Sequence, residues 1–75
     1  MKIPRDLSDK ELIKILEKLG YEITRQKGSH VRLTNSKSGL HLTIPLHNPL
    51  KLGTLSAILN DVSEQLNIPK EEILK

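Results

Sequence analysis

Seventy-five residues carrying a net charge of +3 provide for one small core, so a single domain spanning residues 1–75 is expected. Leu, Ile and Val supply 24 residues, Phe and Trp are absent and Tyr21 is the sole aromatic, so that core is aliphatic. No cysteine is present, which excludes disulfides, thiolate zinc sites and thiol nucleophiles.

In chain order, Ser8-Asp9-Lys10-Glu11 reads as a capping box. Leu12, Ile13, Ile15, Leu16 and Leu19 follow at helical spacing, and Gly20 supplies a left-handed C-terminal cap. These signals predict a helix from about Asp9 to Leu19. Tyr21 and Ile23 then alternate with Glu22 and Thr24, the mark of a strand. Lys27-Gly28-Ser29 makes a turn. Val31 and Leu33 alternate with His30, Arg32 and Thr34 in a second strand, and Asn35 to Gly39 reads as a hairpin loop. Leu40, Leu42, Ile44 and Leu46 mark a third strand. After a break at His47-Asn48-Pro49-Leu50, Leu52, Leu55, Ile58, Leu59, Val62 and Leu66 mark a second amphipathic helix from about Lys51. Pro69 fits the first position of a short last helix carrying Ile73 and Leu74. The order is α-β-β-β-α with an extra C-terminal helix, an α+β class in which a three-stranded antiparallel sheet carries helices on one face.

That leaves the other face of the sheet open. Placing Leu33 opposite Leu42 keeps the apolar sides aligned. It also sets Arg32 opposite Thr43, Thr34 opposite His41 and His30 opposite Pro45. Arg25, Lys27, Arg32 and two histidines then gather near the uncovered face. The charge distribution agrees: from Ile23 to Asn60 there is no Asp or Glu, while the same stretch holds Arg25, Lys27, Arg32, Lys37, Lys51 and all three histidines. A local field of cations without anions attracts a polyanion such as nucleic acid, and it lacks the carboxylates that hold Mg²⁺ or Ca²⁺.

The densest chemical segment is Lys27-Gly28-Ser29-His30. A histidine can take a proton from a ribose 2′-hydroxyl or give one to a leaving oxygen. A neighbouring lysine or arginine stabilises the charge on a phosphorane-like transition state, Gly28 allows close backbone approach to phosphate, and Ser29 offers a hydroxyl. The plain alternative is a Gly-Ser turn with a surface histidine. Lys51-Leu52-Gly53-Thr54 at a helix start is a second phosphate candidate, against ordinary helix initiation. His30, His41 and His47 have no known metal-ligand spacing and no carboxylate nearby, so neither a metal nor another cofactor is expected. No Ser-His-Asp triad and no phosphate-binding glycine loop is readable.

These residues resemble a known family. Gly20-Tyr21 followed by Arg25-Gln26-Lys27-Gly28-Ser29-His30 is similar to the signature of the HicA (YcfA-like) toxins. A second block, Thr43-Ile44-Pro45-Leu46-His47 with Leu50 to Leu59, resembles another segment of the same family, although Leu52 stands where Pro is frequent. The resemblance runs from about Leu7 to Leu59. It implies a double-stranded-RNA-binding-like fold and an mRNA interferase of a type II toxin–antitoxin pair, inhibited by a HicB antitoxin. The family's catalytic histidine corresponds to His30.

The expectation is thus a HicA-like domain acting as a metal-independent endoribonuclease. His30 is the proton-transfer residue, and Arg25, Lys27, Gly28, Ser29, Arg32 and Lys51 bind RNA. The second proton-transfer group is left open between Lys27, His41 and water. The alternatives are a non-catalytic RNA-binding module of the same fold, which needs only shape, phosphate and 2′-hydroxyl contacts, and a protein-interaction domain whose basic face takes an acidic partner. Residues 1–12 lack the apolar stretch of a signal peptide and no apolar run approaches the ~20 residues of a membrane span, so the expected location is the cytoplasm and no membrane partner is expected.

Overall fold

Ser8 organises the start of the chain. In the computed structural model, which describes residues 7–47 and 50–74, the Ser8 hydroxyl oxygen accepts from the Glu11 amide at 3.1 Å and so caps helix α1 (Asp9–Lys18). The Glu11 carboxylate accepts from the same hydroxyl at 3.1 Å, so the capping box forms with its return contact on the side chain. Helix α1 ends one residue before Leu19, and Gly20 takes φ +99°, a left-handed value that glycine adopts without steric cost.

Strands β1 (Tyr21–Lys27), β2 (His30–Asn35) and β3 (His41–Pro45) form one antiparallel sheet in the order β1-β2-β3. Between β2 and β3, Leu33 faces Leu42, Arg32 faces Thr43, Thr34 faces His41 and His30 faces Pro45, the register that the alternation predicts. The β1–β2 pairing departs from simple alternation. Tyr21 faces Asn35 and Ile23 faces Leu33, but the register then shifts at Thr24, so that Arg25 faces Arg32 and Lys27 faces His30. A bulge of this kind inserts one residue and reverses the side on which all later residues project. Strict alternation would have put Arg25 and Lys27 on the side of Tyr21; the bulge puts them on the other.

Helix α2 (Leu52–Leu66) starts one residue after Lys51, which is its N-cap, and helix α3 (Lys70–Ile73) has Pro69 as its N-cap, not as its first helical residue. The core gathers under one face of the sheet. Val31, Leu33, Leu42 and Ile44 are buried with Leu12 and Leu16 of α1 and Leu55, Ile58, Leu59 and Val62 of α2, and Ile73 of α3 joins them. The architecture is an α+β double-stranded-RNA-binding-like fold, α-β-β-β-α with a short C-terminal helix.

Among the described residues, three apolar ones depart from the patterning. Ile23 is 49% exposed, Leu40 46% and Leu52 48%. Ile23 lies on an edge strand beyond the cover of the helices, Leu40 precedes β3 at the end of the hairpin turn, and Leu52 sits in the first turn of α2. The break expected at Asn48-Pro49 lies outside the described residues. Asn35, expected in a loop, instead ends β2 and is 1% exposed. Its Oδ1 accepts from the Lys37 and Ser38 amides at 2.9 and 3.2 Å, and its Nδ2 donates to the Leu19 carbonyl at 3.3 Å. One side chain thereby folds the β2–β3 turn and ties it to the end of α1. At the opposite end of the sheet, the Leu46 amide donates to the Ser29 carbonyl at 2.7 Å and the Asp9 amide to the His47 carbonyl at 3.3 Å. These bonds fix the β1–β2 turn against the exit of β3 and the start of α1.

Candidate nucleic-acid interface

The face of the sheet opposite the helices carries an open depression of about 220 Å³ lined by Arg25, Lys27, His30, Arg32 and Thr43. The register explains the convergence. Arg25, Arg32 and Thr43 form one row across the three strands, and Lys27, His30 and Pro45 form another. Alternate rows on one face lie about 7 Å apart along the strands. Directly opposed residues have β-carbons about 4.5–5.5 Å apart, which makes Lys27 the immediate cross-strand neighbour of His30. All five lining residues are exposed. No carboxylate is among them, so the three cations are not neutralised within the depression. No side chain among the described residues hydrogen-bonds the His30 imidazole, which leaves the ring able to exchange a proton with a ligand.

The two-residue turn that delivers His30 places Gly28 at φ +56°. Gly28 occupies the first central position and Ser29 has no positive φ, the pattern of a type II′ hairpin turn, whose twist suits antiparallel strands. Gly28 and Ser29 therefore shape the approach to the depression without lining it. Lys51 is exposed at the start of α2 and also lies outside the lining.

His41 is on the same face but not in the same site. It pairs with Thr34, four residues along β2 from His30, which is about 13 Å of strand. Its Nδ1 is 2.9 Å from the Thr34 hydroxyl, and that hydroxyl is 2.9 Å from the Thr24 hydroxyl. Thr24 also reaches the Arg32 carbonyl at 3.4 Å. A chain of polar side chains thus crosses the sheet beside the depression. Among the open choices for a partner to His30, His41 is engaged elsewhere and Lys27 is adjacent. His47 is exposed near the start of α1.

Thr43 was not among the residues singled out from the sequence, although the register that put Arg32 opposite it contained the signal. The bulge at Thr24 had no such signal, yet it brings Arg25 and Lys27 to this face. Among the described residues no group of three or more His, Cys, Asp or Glu comes together as a metal site, and no helix is long and apolar enough to cross a membrane.

A protein-family model described as the HicA toxin of bacterial toxin–antitoxin systems matches residues 10–63. That stretch contains α1 but for its first residue, the whole sheet and most of α2. No curated protein matches the chain, and no solved structure does.

Proposed function

Because the chain belongs to the HicA toxin family of bacterial toxin–antitoxin systems, we propose that it is an mRNA interferase, a metal-independent endoribonuclease. His30 takes the proton from a ribose 2′-hydroxyl, whose oxygen attacks the adjacent phosphorus. The 5′-oxygen of the next nucleotide leaves as the P–O bond breaks, and a proton is delivered to it. Lys27, beside His30, stabilises the negative charge that builds on the phosphoryl oxygens. Arg25 and Arg32 bind the flanking phosphates as bidentate donors. The Gly28-Ser29 turn positions His30, and Lys51 adds a phosphate contact outside the depression. The protein works in the cytoplasm as one HicA-like domain, and its antitoxin is a HicB-like protein that covers the depression.

The observation that carries this reading is the convergence, in one depression whose lining holds no carboxylate, of three cations and an imidazole that no side chain among the described residues hydrogen-bonds. One feature favours a second reading, a non-catalytic RNA-binding module: the lining of the depression supplies a single imidazole, that of His30, and cleavage needs two proton transfers. Incubating purified protein with RNA in excess EDTA separates the two. Cleavage that persists in chelator, and stops when the scissile ribose is 2′-deoxy, supports the nuclease. Cleavage lost in chelator and restored by Mg²⁺ or Zn²⁺ refutes the acid–base mechanism. Binding without cleavage under every condition supports the module.

A further inference from the structure

We propose that Thr24 is a positioning residue for this interface: its hydroxyl, anchored on Thr34 and the Arg32 carbonyl, holds the β1 bulge that turns Arg25 and Lys27 onto the face of His30. The proposal rests on the nuclease reading for its functional consequence but not for its structural one.

Hydrophobic patterning does not hold this bulge. A strand's register is strongly specified where one of its faces is buried and weakly specified where neither is. Beyond Tyr21, β1 buries nothing: Ile23, on the helix side, is 49% exposed, and every later residue of the strand is exposed as well. A competing pairing without the bulge therefore sacrifices little apolar burial. In it Thr24 would face Arg32, Arg25 would face Val31 and Gln26 would face His30, while Lys27 would pass into a three-residue turn. Arg25 would then project to the helix side, and a neutral amide would replace the ammonium beside His30. Two of the three cations would leave the depression.

What separates the two pairings is the polar chain. In the bulged strand, Thr24 lies between the Ile23–Leu33 and Arg25–Arg32 pairs, drawn back toward Thr34. The hydroxyls meet at 2.9 Å, and Thr34 is itself held by His41 at 2.9 Å. In the competing pairing Thr24 and Thr34 would be diagonal neighbours, with α-carbons about 7–8 Å apart, beyond easy reach for two short hydroxyl side chains. The Thr24–Thr34 bond thus favours the bulged register over its competitor.

The test compares Thr24→Val, which keeps β-branching and loses the hydroxyl, with Thr24→Ser, which keeps the hydroxyl. Cross-strand NOEs report the register directly. Wild type should show Arg25–Arg32 and Lys27–His30 contacts. Thr24→Val should shift to contacts of residue 24 with Arg32 and of Gln26 with His30, and Thr24→Ser should restore the wild-type set. RNA cleavage should follow: kcat/KM falls about tenfold or more in Thr24→Val and recovers in Thr24→Ser. In a His30→Ala background, the salt slope of single-stranded RNA binding should fall by about 1 to 2 with Thr24→Val, since each lost phosphate contact removes about 0.7. Should Thr24→Val fail to fold, Thr34→Val removes the same bond from β2 and decides the matter by the same NOEs. A Thr24→Val protein that retains the Arg25–Arg32 and Lys27–His30 contacts overturns the proposal. A wild-type protein that cuts no RNA overturns the nuclease reading instead, and the NOEs still decide the role of Thr24.

Discussion

Replacing His30 with Ala tests the interface at the one atom group that distinguishes chemistry from adhesion. His30 is exposed, its ring has no hydrogen-bonding side chain among the described residues, and it faces Lys27 and Pro45 across the sheet. Its removal opens no cavity and orphans no polar group, so stability should change by no more than about 0.5 kcal/mol. Arg25, Lys27 and Arg32 remain in place. At about 0.7 per phosphate contact on a single strand, the three cations of the depression contribute about −2 to the salt slope, which is a roughly 18-fold share of the weakening between about 50 and about 200 mM. His30→Ala should keep that share. Lys27→Ala should lower it to about −1.4, leaving roughly a sevenfold share over the same range. A proton-transfer role contributes ~10²–10⁴ in rate, equivalent to about 3–5 kcal/mol of barrier. Single-turnover cleavage of an end-labelled RNA, with protein well above its Kd, isolates that term from binding. A His30→Ala protein that cuts within about threefold of wild type, far short of the 10² floor, refutes the catalytic assignment and leaves the binding module.

Leu33, fully buried on the central strand, should cost about 2–5 kcal/mol as Leu33→Ala in urea unfolding, and a loss below about 1 kcal/mol would contradict the described packing. Burial, and after it the Asp61 carboxylate, holds the Tyr21 phenol above its ordinary 10.0. The folded chain therefore keeps this proton to higher pH than the unfolded chain, so the contribution is complete below about pH 10 and is lost as pH climbs past it. Tyr21→Phe should flatten the alkaline limb of the stability profile, and parallel limbs in the two proteins would refute this. An antitoxin bound to the toxin should protect Lys27 to Arg32 from hydrogen exchange, and protection confined to residues 64–75 would place it elsewhere.

The legibility of the sequence varied with burial. Leu33 and Leu42 alternate with polar neighbours on strands whose two sides meet different surroundings, and the β2–β3 register follows from that contrast. On β1 the contrast vanishes after Tyr21, and Ile23, which alternates with Glu22 and Thr24, lies half in solvent. Arg25 and Lys27 lie near the open face as expected, but they share the parity of Tyr21, so alternation did not support that expectation and the register shift at Thr24 is what brings them there. Single-residue alternation cannot encode such a shift. Asn35 read as a loop residue because its composition signals a turn, and it does make that turn, but from a buried position at the end of β2. Lys51, chosen for its place at a helix start, sits there as the N-cap but outside the depression, because helix position alone says nothing about which surface residues converge.

Tyr21 gives the molecule a built-in optical reporter. It is the only aromatic residue, with no Trp to accept its excitation energy. It is 1% exposed, and its hydroxyl donates to Gln65 Oε1 at 2.7 Å, while Gln65 Nε2 donates to the His41 carbonyl at 2.9 Å. Its emission therefore senses the seam between β1 and the end of α2. The basic depression lies on the far side of the sheet, so an oligonucleotide seated there does not touch the fluorophore. Tyrosine emission should follow unfolding and stay nearly silent on RNA docking, apart from absorption of the exciting light by the bases. Folding and binding can thus be followed in one unlabelled sample, the first by tyrosine emission and the second by a dye on the RNA.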